Sequence, residues 1–147
     1  MNFHIIPYRS TGNIQLGFSK LEINKMLGSV FTSITYDYSL DVADNYKDLG
    51  LQLDYDEFKN CTTIHIEAPS NAIYENHNLH LMLYSEILSL FSVKEKNAYI
   101  DDNNILFIDV GIAFSFGDDK EKKCPAIVTI FKEGLFDEFL HNYERLW

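Results

Sequence analysis

Two histidines, His77 and His80, stand three residues apart ahead of an apolar stretch. On a helix that spacing places both imidazoles on one face, where they could ligate a metal ion. Only Glu75 is near enough to add a donor, and no Cys, Asp or Glu completes a ligand motif. The pair therefore reads as solvated histidines at a helix start, and no metal is expected. Asp54-x-Asp56-Glu57 and Asp101-Asp102 resemble fragments of calcium loops, but neither continues with the glycine and distal glutamate that such a loop needs. Both read as turn residues, whose carboxylates bond the backbone locally. His4, His65 and His141 are isolated. His65 alternates out of phase with Ile64 and Ile66, which places it on the less buried side of a strand.

Cys61 and Cys124 are too few for a disulfide framework or a structural zinc site. Packing explains them, although Lys122 and Lys123 are cationic neighbours of the kind that can activate a thiol. The chain carries no Gly-x-Ser-x-Gly elbow and no phosphate-binding glycine loop. No catalytic residue and no cofactor are expected. The enzymatic alternative is a small hydrolase that assembles dispersed His and Asp residues, and a further alternative is a housekeeping protein-interaction adaptor.

One segment has the composition of a contact surface. Tyr36, Asp37, Tyr38, Asp41, Asp44, Tyr46 and Asp48 crowd a strand end and the loop after it. Tyrosine offers a large rigid contact area with a polar tip, and carboxylates beside it suit a basic partner. These seven are the expected partner-binding residues. The competing reading is a solvated loop whose tyrosines fold partly into the core.

The elements that position these groups follow from periodicity. Phe3 to Pro7 is a short extended start. Ser19 is a helix N-cap with Glu22 at capping-box spacing, and Gly28 ends that helix. Residues Ser29 to Ser39 read as a strand, Asp41 to Asp48 as a loop, and Leu49 to Tyr55 and Cys61 to Ala68 as alternating strands. Leu79 to Phe91 has helical spacing. Ala98 to Ile100, Ile105 to Val110, Gly111 to Phe116 and Cys124 to Phe131 read as strands, and Leu135 to Trp147 as an amphipathic closing helix.

The two halves can be superposed in sequence. Leu49-Gly50-Leu51-x-Leu53-x-Tyr55 matches Val110-Gly111-Ile112-x-Phe114-x-Phe116, Cys61 to Ile64 matches Cys124 to Ile127, and Glu22-Ile23 matches Glu86-Ile87. The offset stays at about 61 to 64 residues throughout. The expected fold class is α+β: one domain, 1–147, made of a tandem repeat of a helix plus an antiparallel three-stranded meander, with a C-terminal helix. The pseudo-repeats cover approximately 5–70 and 72–134.

Composition bounds the function classes. A chain of 147 residues with 46% hydrophobic residues fits one domain with an ample core. The net charge of −10, from 22 acidic and 12 basic residues, repels nucleic acid and anionic membranes and favours basic partners. No signal peptide and no membrane-spanning stretch is read, so a cytoplasmic protein is expected.

The Leu16-Gly17-Phe18-Ser19 to Gly28 segment, the Leu49-Gly50-Leu51 strand and its echo at Val110-Gly111-Ile112 resemble small bacterial immunity proteins of toxin–immunity systems. These include partners of contact-dependent growth-inhibition toxins. The duplicated plan also resembles the tandem fold of beta-lactamase inhibitory protein, over roughly Ile5 to Phe136. The resemblance implies a cytoplasmic protein that binds a cognate toxin domain, a basic nuclease given the acidity here, and occludes its active or substrate-binding site. It implies a monomer or weak homodimer that forms a heterodimer with the toxin, without cofactor, nucleic acid or membrane.

Overall fold

The computed structural model describes residues 1–28, 31–35 and 42–147. Strands β1 (Asn2–Ile6), β2 (Ser10–Thr11) and β3 (Ile14–Gln15) open the chain, followed by helix α1 (Lys20–Leu27). Strands β4 (Thr32–Thr35), β5 (Val42–Tyr46), β6 (Leu51–Tyr55), β7 (Cys61–Ile66), β8 (Asn71–Tyr74) and β9 (His77–Asn78) follow. After helix α2 (Tyr84–Phe91) come β10 (Ala98–Ile100), β11 (Asn104–Phe107), β12 (Ile112–Ser115), β13 (Ile127–Phe131) and β14 (Glu144–Arg145). Among the described residues no helix is long and apolar enough to cross a membrane.

The protein is mostly β, which overturns the expected α+β repeat of three-stranded meanders with a C-terminal helix. One sheet of nine strands has the order β14-β10-β11-β12-β13-β7-β6-β5-β4, and a second of five has the order β3-β2-β1-β8-β9. The large sheet is antiparallel throughout, and β7 joins β13 at its middle, with Ile64 opposite Ile130 and His65 opposite Thr129. Four strands run outward on each side, β7-β6-β5-β4 and β13-β12-β11-β10, before β14 caps one edge.

Three misreadings produced the wrong class. Residues 42–46 form β5 instead of a loop. Their polar side chains discouraged a strand reading, but two of them find partners on α1: Asp44 pairs with Lys20 and Tyr46 donates to Asn24 Oδ1. The helical stretch 79–91 divides into a 3-10 turn, Leu79–Leu81, and α2. The closing helix is absent. Its place is taken by a 3-10 turn, Asp137–Asn142, and β14. That segment must span the sheet from β13 to the edge of β10, and Phe139, required on a helix's apolar face, is about half exposed. The predicted strand at Ser29 to Ser39 is described only at β4; residues 29–30 and 36–41 lie outside the described residues.

Where local chemistry was decisive the reading agrees with the structure. Ser19 Oγ accepts from Glu22 N at 3.2 Å, and Ser19 N donates to Glu22 Oε2 at 2.8 Å, so α1 carries the capping box. The core lies between the large sheet and the elements packed on one of its faces. Ile23 of α1, Ile87 and Phe91 of α2, and Phe3, Ile5 and Ile14 of the small sheet bury against Leu51, Leu53, Ile64, Ile66, Phe107, Phe114 and Ile130. Phe91 stacks on Phe107 at 4.7 Å and on Tyr74 at 5.4 Å, which ties α2 to both sheets.

Candidate functional site

Alternation along the strands gives the large sheet a second face, opposite α1 and α2. Register places Gln52 and Asp54 of β6, Thr63 and His65 of β7, Thr129 of β13, Ala113 and Ser115 of β12, and Asn104 and Leu106 of β11 on it. The chain after β13 crosses part of this face on its way to β10. Phe136, edge-to-face on Phe131 at 4.7 Å, and Tyr143 form a roof there. Beneath it lies a cavity of 260 Å³ lined by Leu106, Ala113, Ile127, Phe136 and Tyr143, with His65, Asn104, Ser115 and Thr129 as its polar groups.

A hydrogen-bonded row crosses the middle of the sheet beside this cavity. Gln52 Nε2 donates to Asp54 Oδ1 at 3.1 Å, Asp54 Oδ2 lies 2.8 Å from His65 Nε2, and His65 Nδ1 lies 2.8 Å from Thr129 Oγ1. Because an ionised carboxylate only accepts, the network assigns the proton to Nε2 and leaves Nδ1 to accept from the Thr129 hydroxyl. The His65 and Asp54 side chains are 27% and 24% exposed, so solvent or a partner can reach them. Hydroxyl, imidazole and carboxylate thus stand in the order of a nucleophile relay. Acyl transfer would also need amide donors aimed at an oxyanion. The β13 amides around Thr129 are committed to the ladders with β7 and β12. The row can orient a polar contact, and the β13 amides beside it are not free to serve as such donors.

Of the seven expected contact residues, the three among the described residues, Asp44, Tyr46 and Asp48, do not form one surface. Asp44 is fully buried on the core face, paired with Lys20 and accepting from Ser33 Oγ at 2.9 Å. Tyr46 is also buried; burial and then the Asp44 carboxylate push its phenol up to about 12. Neither offers surface to a partner. Asp48 is exposed on the 3-10 turn Lys47–Leu49. Tyr36, Asp37, Tyr38 and Asp41 lie outside the described residues. The row that does form was invisible in sequence because its members come from β6, β7 and β13, and only the register unites them. The one available signal was that Asp54 and His65 each alternate out of phase with core residues.

Other polar groups serve the framework. Asp56 caps its turn by accepting from Phe58 N at 2.9 Å and Asn60 N at 3.0 Å, and Asp101 does the same for Asn103 N and Asn104 N. Burial pushes the Cys61 thiol up to about 12, which leaves it protonated and unreactive. Glu95 is buried in the segment after α2 and accepts from the backbone amides of Asn97, Asp109 and Val110, fastening that segment to the turn between β11 and β12. His77 is exposed in β9, whereas His80 is held inside: Nδ1 accepts from Ala72 N at 3.1 Å and Nε2 donates to Ile66 O at 3.0 Å. Among the described residues no three His, Cys, Asp or Glu side chains gather as metal ligands.

His80 gives a pH prediction. Burial lowers its pKa below the ordinary value. The unfolded chain therefore binds a proton that the folded chain resists, so this group's contribution is complete above about pH 6.5 and is lost as pH falls below it. Urea midpoints measured between pH 8 and 5 should decline more steeply for the wild type than for His80→Gln; parallel curves would refute the assignment. Comparison with family models, with curated proteins and with solved structures returns no match for this chain.

Proposed function

We propose that this chain is a cytoplasmic immunity-type protein that binds a basic toxin domain, a nuclease, and blocks it by occlusion without covalent chemistry. The observation that carries the reading is the second face of the nine-stranded sheet. It combines a roofed cavity with a partly exposed Asp54–His65–Thr129 row on a rigid antiparallel scaffold. Rigid strands present contact groups with little entropy left to lose on binding. The charge of −10 attracts a surface built to hold nucleic acid. Because Asp44 and Tyr46 of the expected contact set are buried, this face takes their place in the proposal.

The relay order of Thr129, His65 and Asp54 favours a second reading, a small hydrolase. One experiment separates the two. The chain is co-expressed with the product of the adjacent upstream gene, and complex formation and protection of the cell are measured for the wild type and for Thr129→Val. A binder forms a tight complex whose association rate falls steeply with salt, and the isosteric variant still protects. A hydrolase loses protection when the hydroxyl is removed. No complex with any neighbouring toxin domain would end the inhibitor reading.

A further inference from the structure

The roofed cavity has a shape and a charge environment of its own. Its volume of 260 Å³ is below the roughly 300 Å³ at which pockets for drug-sized ligands begin, and it suits one long side chain. Its walls are apolar and aromatic: Leu106 and Ala113 from the sheet, Phe136 and Tyr143 from the crossover. No lysine or arginine lines it. A carboxylate stands one residue behind each polar end. Asp54 is bonded to His65, and both Asp101 oxygens accept from Asn104 Nδ2 at 3.0 Å. Asp101 and Tyr143 flank the Ile100–Glu144 pair of β10 and β14, which places that charge close to the roof; burial and then the Asp101 carboxylate raise the Tyr143 phenol above its ordinary pKa.

We infer that this cavity receives an arginine side chain of a basic protein partner, its stem along Leu106 and Ala113 and its guanidinium between the aromatic roof and Asn104 and Ser115. The inference rests on the inhibitor reading for its partner and on the cavity for its chemistry. Guanidinium suits the site better than ammonium, because it is planar, weakly hydrated and stacks on aromatic rings while donating in its plane. A neutral apolar side chain would fill the walls but gain nothing from the two carboxylates. Arginine is also a frequent energetic anchor of protein interfaces.

The test needs no toxin. N-acetyl-arginine amide and N-acetyl-norleucine amide, matched in stem but not in charge, are titrated into the full chain and followed by amide NMR. Arginine should give saturable shifts at Ala113 and Ser115 with a Kd on the order of 1 to 10 mM, and norleucine should bind at least about tenfold more weakly. Ala113→Leu, which fills the cavity, should abolish the response. Asp101→Asn, which keeps the turn cap and removes the charge, should weaken it severalfold. Equal binding of norleucine, no saturable shift, or an undiminished response in both variants overturns the inference. Arginine binding without any toxin complex would sink the inhibitor reading alone. A toxin complex that forms equally well with Ala113→Leu would sink the cavity assignment alone.

Discussion

Gly50→Ala should unfold the protein more readily than any other glycine-to-alanine change, at a cost of about 3 to 4 kcal/mol. Gly50 lies at φ 63°, ψ 36°, the left-handed region, where an L side chain is strained. Strain alone accounts for about 1 to 2 kcal/mol. The rest comes from its neighbours: a Cβ would sit 2.1 Å from the Glu67 carbonyl oxygen and 3.0 Å from the backbone of Ala68. Those atoms cannot rotate away. Glu67 N donates to Gly50 O at 2.9 Å, and Ser70 Oγ donates to Leu49 O at 2.6 Å, so the two chains are fastened where they clash. Gly17 is the control, because it has φ 92° but nothing within 4 Å of an added Cβ. Thermal unfolding should show a fall on the order of 10 °C for Gly50→Ala and a much smaller one for Gly17→Ala. Equal losses would mean that backbone strain alone, without the close approach, explains the glycine.

Lys20→Met should be the most damaging charge substitution, at about 3 to 5 kcal/mol, and clearly worse than Asp44→Asn. The asymmetry follows from burial. Asp44 has no exposed surface, while the Lys20 side chain is 26% exposed. Removing the lysine strands a carboxylate in the core, where among the described residues the Ser33 hydroxyl is its remaining side-chain partner. Removing the carboxylate leaves a flexible ammonium that can swing into water, so Asp44→Asn should cost about 1 to 3 kcal/mol. Lys20 also lies over the rings of Phe31, at 4.7 Å, and Tyr55, at 5.4 Å, contacts that a methionine keeps only in part. Urea unfolding of both single variants and of Lys20→Met/Asp44→Leu decides the point. The double variant should recover much of the loss, because an apolar pair of similar volume replaces a buried ion pair at little cost. A larger loss from Asp44→Asn than from Lys20→Met would refute the account.

This ion pair also explains why Asp44 and Tyr46 read from sequence as contact residues although both are buried. Tyr36 to Asp48 reads as solvent-facing because it is dense in Asp, Asn and Tyr. Within β5, however, Asp44 finds Lys20 and Tyr46 finds Asn24, both on α1, some twenty residues earlier in the chain. A buried charge is tolerable once it is paired, and no local pattern announces a partner that far away. The closing segment failed for the related reason that periodicity describes one element at a time. Leu135, Phe136, Phe139 and Leu140 could line a helix. The apolar surface that Phe136 meets is instead Phe131, on a segment obliged to cross the sheet.

What the sequence alone determined is local. It settled the α1 capping box, the alternation of Leu51 to Tyr55 and Ile112 to Ser115, the turn-capping aspartates and the absence of recognised nucleophile motifs, since each depends on residues within a few positions of one another. The tertiary structure alone decided that strands from both halves join one nine-stranded sheet at β7 and β13. It decided which carboxylate is buried, and it brought Asp54, His65 and Thr129 into one row beside a roofed cavity. The physical reason is register. A side chain's face is set by its own strand, but its neighbours are set by which strands pair and at what offset, and that is fixed by burial of the whole apolar face.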